Sequence, residues 1–172
     1  MSNTSENHIN PILQVIHNQN DGVLGITSSP SSTIDITIDI KEESKLGRIL
    51  GQMVYFVIEE EGEKILLIGQ VISIETQNRW HQDPAFKGVI RLHGNLPHLS
   101  GKADNRLATI SVQAAYLLGK EDTKGHTLGT SPSTGLEVKK MNNAVMGALM
   151  KKYEKNITYI GKVYGTDVDM PF

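Results

Sequence analysis

Isoleucine occupies every second position from Ile34 to Ile40, with Asp35, Thr37 and Asp39 between. A period of two with β-branched residues on one side predicts a half-buried strand. Met53–Ile58 is apolar throughout and predicts a strand covered on both faces. Glu59–Lys64 sets Gly62 among acidic residues and turns the chain back into Ile65–Ile74, a hairpin. Gly69 interrupts that second strand, and glycine there marks a bulge or tight coil of the kind that bends a sheet into a barrel. After the polar connection Thr76–Lys87, Gly88–His93 predicts a further strand, and Gly94–Asn105 a loop. Leu107, Ile110, Val112, Ala114 and Tyr116 give Leu107–Leu118 a mainly strand-like spacing, although Ala114–Ala115 also fits the start of a helical turn.

Gly119–Gly135 is turn-rich, and beyond it the period changes. Val138, Met141, Val145, Ala148, Leu149 and Lys152 recur at helical spacing, with Lys139, Lys140, Lys151 and Lys155 around them. This predicts one amphipathic helix over 136–155, entered from Pro132–Gly135 and stopped at Asn156, then a strand or extended linker from Ile157 to Tyr164. At the other end, residues 1–30 read as a polar extension. Ile12, Leu13, Val15 and Ile16 form a short helix or edge strand there, and Gly22–Thr33 has loop composition. Together these elements predict a mainly β chain: a small closed antiparallel β-barrel over 31–156 with one C-terminal helix, and a linker strand over 157–172.

Composition narrows the functional classes. The 172 residues suit one domain. With 17 Lys+Arg against 19 Asp+Glu the chain lacks the positive field of a dedicated nucleic-acid binder, so any DNA contact must be local. There is no cysteine, which removes disulfide and thiolate chemistry and suits a reducing compartment. Met1–Asn10 does not read as a secretory signal, and no run approaches the roughly 20 apolar residues of a membrane span, so a soluble cytoplasmic protein is expected.

No catalytic, cofactor or metal residue is expected within the chain. Gly129–Gly135 spaces its glycines one residue too far apart for a phosphate-binding loop and is followed by Leu136; Gly101-Lys102 lacks the upstream glycine, position 96 being Leu96. Histidines 8, 17, 81, 93, 98 and 126 are scattered without ligand spacing. Asp35 and Asp39 share the solvated side of their strand, and Glu59–Glu63 is a charged turn. Two features remain as candidate contacts. Arg79, Trp80 and His81, with Phe86, place aromatics in a polar connection, either tucked over the barrel mouth or exposed as an anchor for a partner or subunit. Lys139, Lys140, Lys151 and Lys152 form the basic stripe, which solvates the helix or faces a pore or a DNA backbone.

The succession of strands, Pro132-Ser133-Thr134-Gly135-Leu136-Glu137-Val138, an amphipathic helix and Ile160-Gly161-Lys162-Val163-Tyr164-Gly165-Thr166-Asp167 resembles the N-terminal domain of HerA-family (FtsK/HerA-like) ATPases. That domain is the HAS-barrel, shared with ATP synthase subunits; the likeness spans most of residues 30–172 and is most specific at the C-terminal segment. In the family a Walker loop follows this segment. The resemblance therefore implies one domain of a longer protein, with ATP and Mg bound by an absent P-loop domain. It further implies a hexameric ring of identical subunits that translocates double-stranded DNA. The implied effector is a NurA-like nuclease in DNA end processing, or a nuclease or sirtuin-like NAD-consuming enzyme in anti-phage defence. From the residues alone, an autonomous OB- or SH3-like nucleic-acid-binding barrel is the alternative.

Overall fold

The computed structural model describes residues 10–18, 22–44, 47–94, 104–119, 123–150, 158–162 and 167–171. In chain order its elements are α1 (Pro11–Asn18), β1 (Val23–Thr27), β2 (Asp35–Ile40), β3 (Met53–Glu60), β4 (Glu63–Asn78), α2 (Arg79–Gln82), α3 (Pro84–His93), β5 (Asp104–Leu118), β6 (Thr123–Gly125), β7 (Glu137–Lys140), α4 (Asn143–Met150), β8 (Tyr159–Lys162) and β9 (Asp169–Pro171). Six strands close a barrel in the order β1-β2-β5-β4-β3-β7 and back to β1, every pair antiparallel, and β6 adds to the end of β5. The expected closed barrel is therefore present. No helix among the described residues is long and apolar enough to cross a membrane.

The barrel is filled from inside by alternate residues of its strands: Leu24, Ile36, Ile38, Val54, Phe56, Leu67, Ile110 and Val138 are all essentially excluded from water. A second core lies outside the wall. There Tyr55, Leu66 and Ile68, on the opposite faces of β3 and β4, are covered by Ile12 and Ile16 of α1, by Val145 and Met146 of α4, and by Met141, Leu118 and Val168. This is why Met53–Ile58 of β3 is apolar at every position: it is covered on both faces, as its sequence predicts. Asn10 fastens α1 to the wall, its Oδ1 accepting from the Ile12 N–H and its Nδ2 donating to the Gly119 carbonyl, both at 2.9 Å.

Three irregularities let the sheet close. The β3–β4 turn holds only Glu61 and Gly62, with φ of 53° and 80°, the two positive values that a tight hairpin matching strand twist requires. Opposite Gly69, β5 carries one extra residue, Gln113, so the inward positions pass from Ile110 and Val112 to Ala115 and Leu117. The expected bulge at Gly69 thus lies on the partner strand, and a Cβ on Gly69 would come within 2.4 Å of Ile110. Gly25, beside a register shift between β1 and β7, lies so close to β2 that a Cβ would sit 2.1 Å from the Asp39 carbonyl oxygen.

Three expectations are corrected. Part of the supposed loop Gly22–Thr33 is β1, which pairs with both β2 and β7; its five residues are overshadowed in sequence by the Ser- and Pro-rich turn that follows. Gly88–His93 lies in helix α3, not a strand. Its short apolar run fits either period, and the capping residues decide. Glu137–Lys140 is strand β7, because Val138 is drawn into the barrel; the helix starts at Asn143, with Asn142 Oδ1 accepting from the Val145 N–H at 2.9 Å. Residues 151–155 of the expected helix lie outside the described residues. Of the strand or extended linker expected over Ile157–Tyr164, Tyr159–Lys162 is a strand, β8, which pairs with β9, while Val168 is buried in the outer core.

Replacing Gly25 by valine is expected to cost about 3 kcal/mol in urea unfolding, since the added side chain meets backbone that cannot swing aside. Among the described residues the buried Tyr55 hydroxyl has no hydrogen-bond partner, and burial pushes its pKa above 10.0. Because the raised pKa belongs to the folded state, stability present below pH 10 should fall as pH rises above that value. Tyr55→Phe should remove this alkaline loss and stabilise the chain by about 1 kcal/mol at neutral pH, measured by urea unfolding.

Candidate docking site

The long strands β4 and β5 stay paired past the barrel rim. Their last three pairs, Thr76–Arg106, Gln77–Asn105 and Asn78–Asp104, belong to these two strands alone, since β2 leaves β5 at Leu107 and β3 leaves β4 at Gln70. Asn78 organises the tip. Its Oδ1 accepts from the backbone N–H of Trp80 at 2.9 Å and of His81 at 3.4 Å, while its Nδ2 donates to Asp104 Oδ1 at 2.6 Å. One side chain thereby starts α2 and ties it to both strands.

Asp83 then caps α3, accepting from the Ala85 N–H at 2.8 Å, with Pro84 as first helical residue. Gly94, at φ 72°, ends the helix by donating to the Ile90 carbonyl. Between these caps α3 is two-sided. Ala85, Phe86, Val89, Ile90 and Leu92 fall on one side by helical spacing, and Lys87 and Arg91 on the other. The described chain covers this apolar side only in part, Phe86 and Ile90 being half-buried, the former against Trp80. No residue of α3 is buried, Leu92 is 81% exposed and Val89 40%.

Trp80 is 42% exposed and meets Phe86 edge to face, the ring centroids 4.6 Å apart. Of the two readings of this tryptophan, the structure shows the exposed one: the ring packs on the arm and leaves the barrel mouth to aliphatic side chains. Arg79 opens α2, and His81 is exposed on it. Arg79, Trp80, His81 and Phe86 are thus brought together on one projecting arm. Val89, Ile90 and Leu92 join them; sequence reasoning placed these three in a strand, although Asp83-Pro84 and Gly94 are helix-boundary signals.

The lysines are distributed differently. Lys139 and Lys140 sit half-buried on β7, opposite Tyr55 and Val54 of β3, and Lys151 and Lys152 lie outside the described residues. Among the described residues there is accordingly no basic helix face at 139–140. Lys140 instead borders a cleft of about 360 Å³ with Gln52, Asn142, Asn143 and Asp167. Glu60 accepts from the Gly129 N–H at 3.1 Å and lies 3.2 Å from His126 Nε2, clamping the connection after β6 to the end of β3. No group of three or more metal-ligating side chains occurs among the described residues.

No protein-family model matches this chain, and no curated protein matches it.

Trp80 is the chain's single tryptophan, so its fluorescence reports the arm alone. Emission should lie near the solvated limit and be quenched by acrylamide, and Phe86→Ala should increase that quenching. The same substitution should change global stability by no more than about 0.5 kcal/mol, as for other surface positions. A blue-shifted, protected tryptophan would contradict the exposed arm.

Proposed function

We propose that this chain is the assembly and partner-docking barrel of a HerA-like ring ATPase, a cytoplasmic machine that translocates double-stranded DNA and works with a nuclease or other effector. The observation that carries this reading is a closed barrel bearing a rigidly capped arm whose apolar face is left in water. Closure satisfies the backbone groups of the six strands, giving a stiff scaffold with few free edges. A contiguous apolar face on such a scaffold marks an interaction surface. The chain's part is then mechanical: the barrel holds subunits or an effector in place, while ATP and Mg are handled by a P-loop domain of the same polypeptide. The resemblance to HerA proteins is most specific over Ile160–Asp167, which begins in β8, a strand paired with β9 outside the barrel sheet.

The coding frame that carries this chain should encode a Walker loop shortly after the β8–β9 segment. The full-length polypeptide should form a six-membered ring by native mass spectrometry and hydrolyse ATP. A frame without a P-loop domain would overturn the proposal. If this chain alone bound single-stranded oligonucleotide at low salt, with binding lost as salt rises, an autonomous nucleic-acid barrel would be favoured instead.

A further inference from the structure

We infer that the arm of one copy seats in a groove along β1 of a second copy, so that the chain associates head to tail. The inference rests on the assembly reading and names the contact that would serve it. The groove, about 450 Å³, runs along β1 and is lined by Val23, Ile26 and Ile40, with Asp39, Glu137 and Lys41 around them. Gly25 leaves part of its floor without a side chain. Register places Ile26 directly between Asp39 on β2 and Glu137 on β7, so an isoleucine that is 45% exposed is flanked by two carboxylates. Neither carboxylate has an ion-pair partner among the described residues, whereas Lys41 is already engaged within the chain.

The arm carries the complementary chemistry. Its apolar side offers Phe86, Val89 and Leu92, with Trp80 beside them, and its exposed cations Lys87 and Arg91 have no partner among the described residues. An amphipathic helix laid into an apolar groove with acidic flanks is a recurrent mode of recognition, in which apolar burial gives affinity and charge gives register. Within the described structure the arm does not cover the groove: Leu92 on the arm is 81% exposed and Ile26 in the groove 45%. An arm seated on a second copy makes a heterologous contact, and such contacts close into a ring when the rotation fits.

Two charge-reversed chains test this: Lys87→Glu with Arg91→Glu in the arm, and Asp39→Lys with Glu137→Lys in the groove. Glu137→Lys alone serves as a milder groove variant, since Glu137 is exposed and Asp39 half-buried. Urea unfolding verifies that each variant folds, and sedimentation velocity at low salt reads assembly. Each reversal should weaken self-association about tenfold or more. An equimolar mixture of the two reversed chains should recover it, because the acidic arm then meets a basic groove and the native arm meets a native groove. Native-like association of either reversed chain, or a mixture no better than its components, would overturn the inference while leaving the ring reading standing. Loss on arm reversal without loss on groove reversal would also overturn it, pointing to arm-to-arm pairing. A native chain that stays monomeric at every concentration would overturn it as well.

Discussion

The structure depends on a closed circuit of backbone hydrogen bonds, and the circuit depends on β1. That short strand must pair with β2 on one side and β7 on the other, and only a residue without a side chain lets it approach β2 closely enough at Gly25. Thr27 secures the same closure from the far end. Its hydroxyl donates to the Ser133 carbonyl at 2.7 Å and accepts from the Leu136 N–H at 2.9 Å, delivering the chain into β7 in register. Once Val138 enters the interior the last seam is shut, and six strands share one core.

Closure also decides what can lie outside. Because β3 and β4 are apolar on both faces, the wall they form must be covered, and α1, α4 and the C-terminal segment cover it. The two helices and Val168 meet over Tyr55, Leu66 and Ile68, so segments distant in sequence are held by one patch of barrel wall. Asn143 adds a polar link, accepting from the Asp169 N–H at 3.3 Å, between α4 and the terminal hairpin. The terminal hairpin is thereby held against the barrel wall.

The arm is built on the opposite principle. Its backbone is fixed by caps at Asn78, Asp83 and Gly94, yet none of the α3 side chains is fully buried among the described residues. Local order without local burial suits a surface meant for a second molecule, since the helix need not pay ordering entropy when it docks. The groove over Ile26 has the reciprocal character, a rigid strand floor with apolar and acidic groups left open.

Much of the barrel was legible in the chain because the period-two pattern of Ile34–Ile40, the unbroken apolar run of Met53–Ile58 and the Gly62 turn are local signals that tertiary context reinforces. The capping residues of α3 were equally present, but the run Val89-Ile90-Arg91-Leu92 fits a strand as well as a helix, and periodicity alone cannot separate them. For Val23–Thr27 and Glu137–Lys140 the sequence was silent or misleading. Each is a strand only because two neighbours supply its hydrogen bonds, and those neighbours are remote in the chain. The candidate site followed the same division: Trp80 and Phe86 stood out by residue type, while the exposure of Trp80 arises from strands running past the rim. By itself, then, the sequence determined which segments alternate, turn and cap, since those depend on neighbours along the chain. Tertiary structure alone decided which strand closes the barrel and which apolar face stays in water, since those depend on what packs across it.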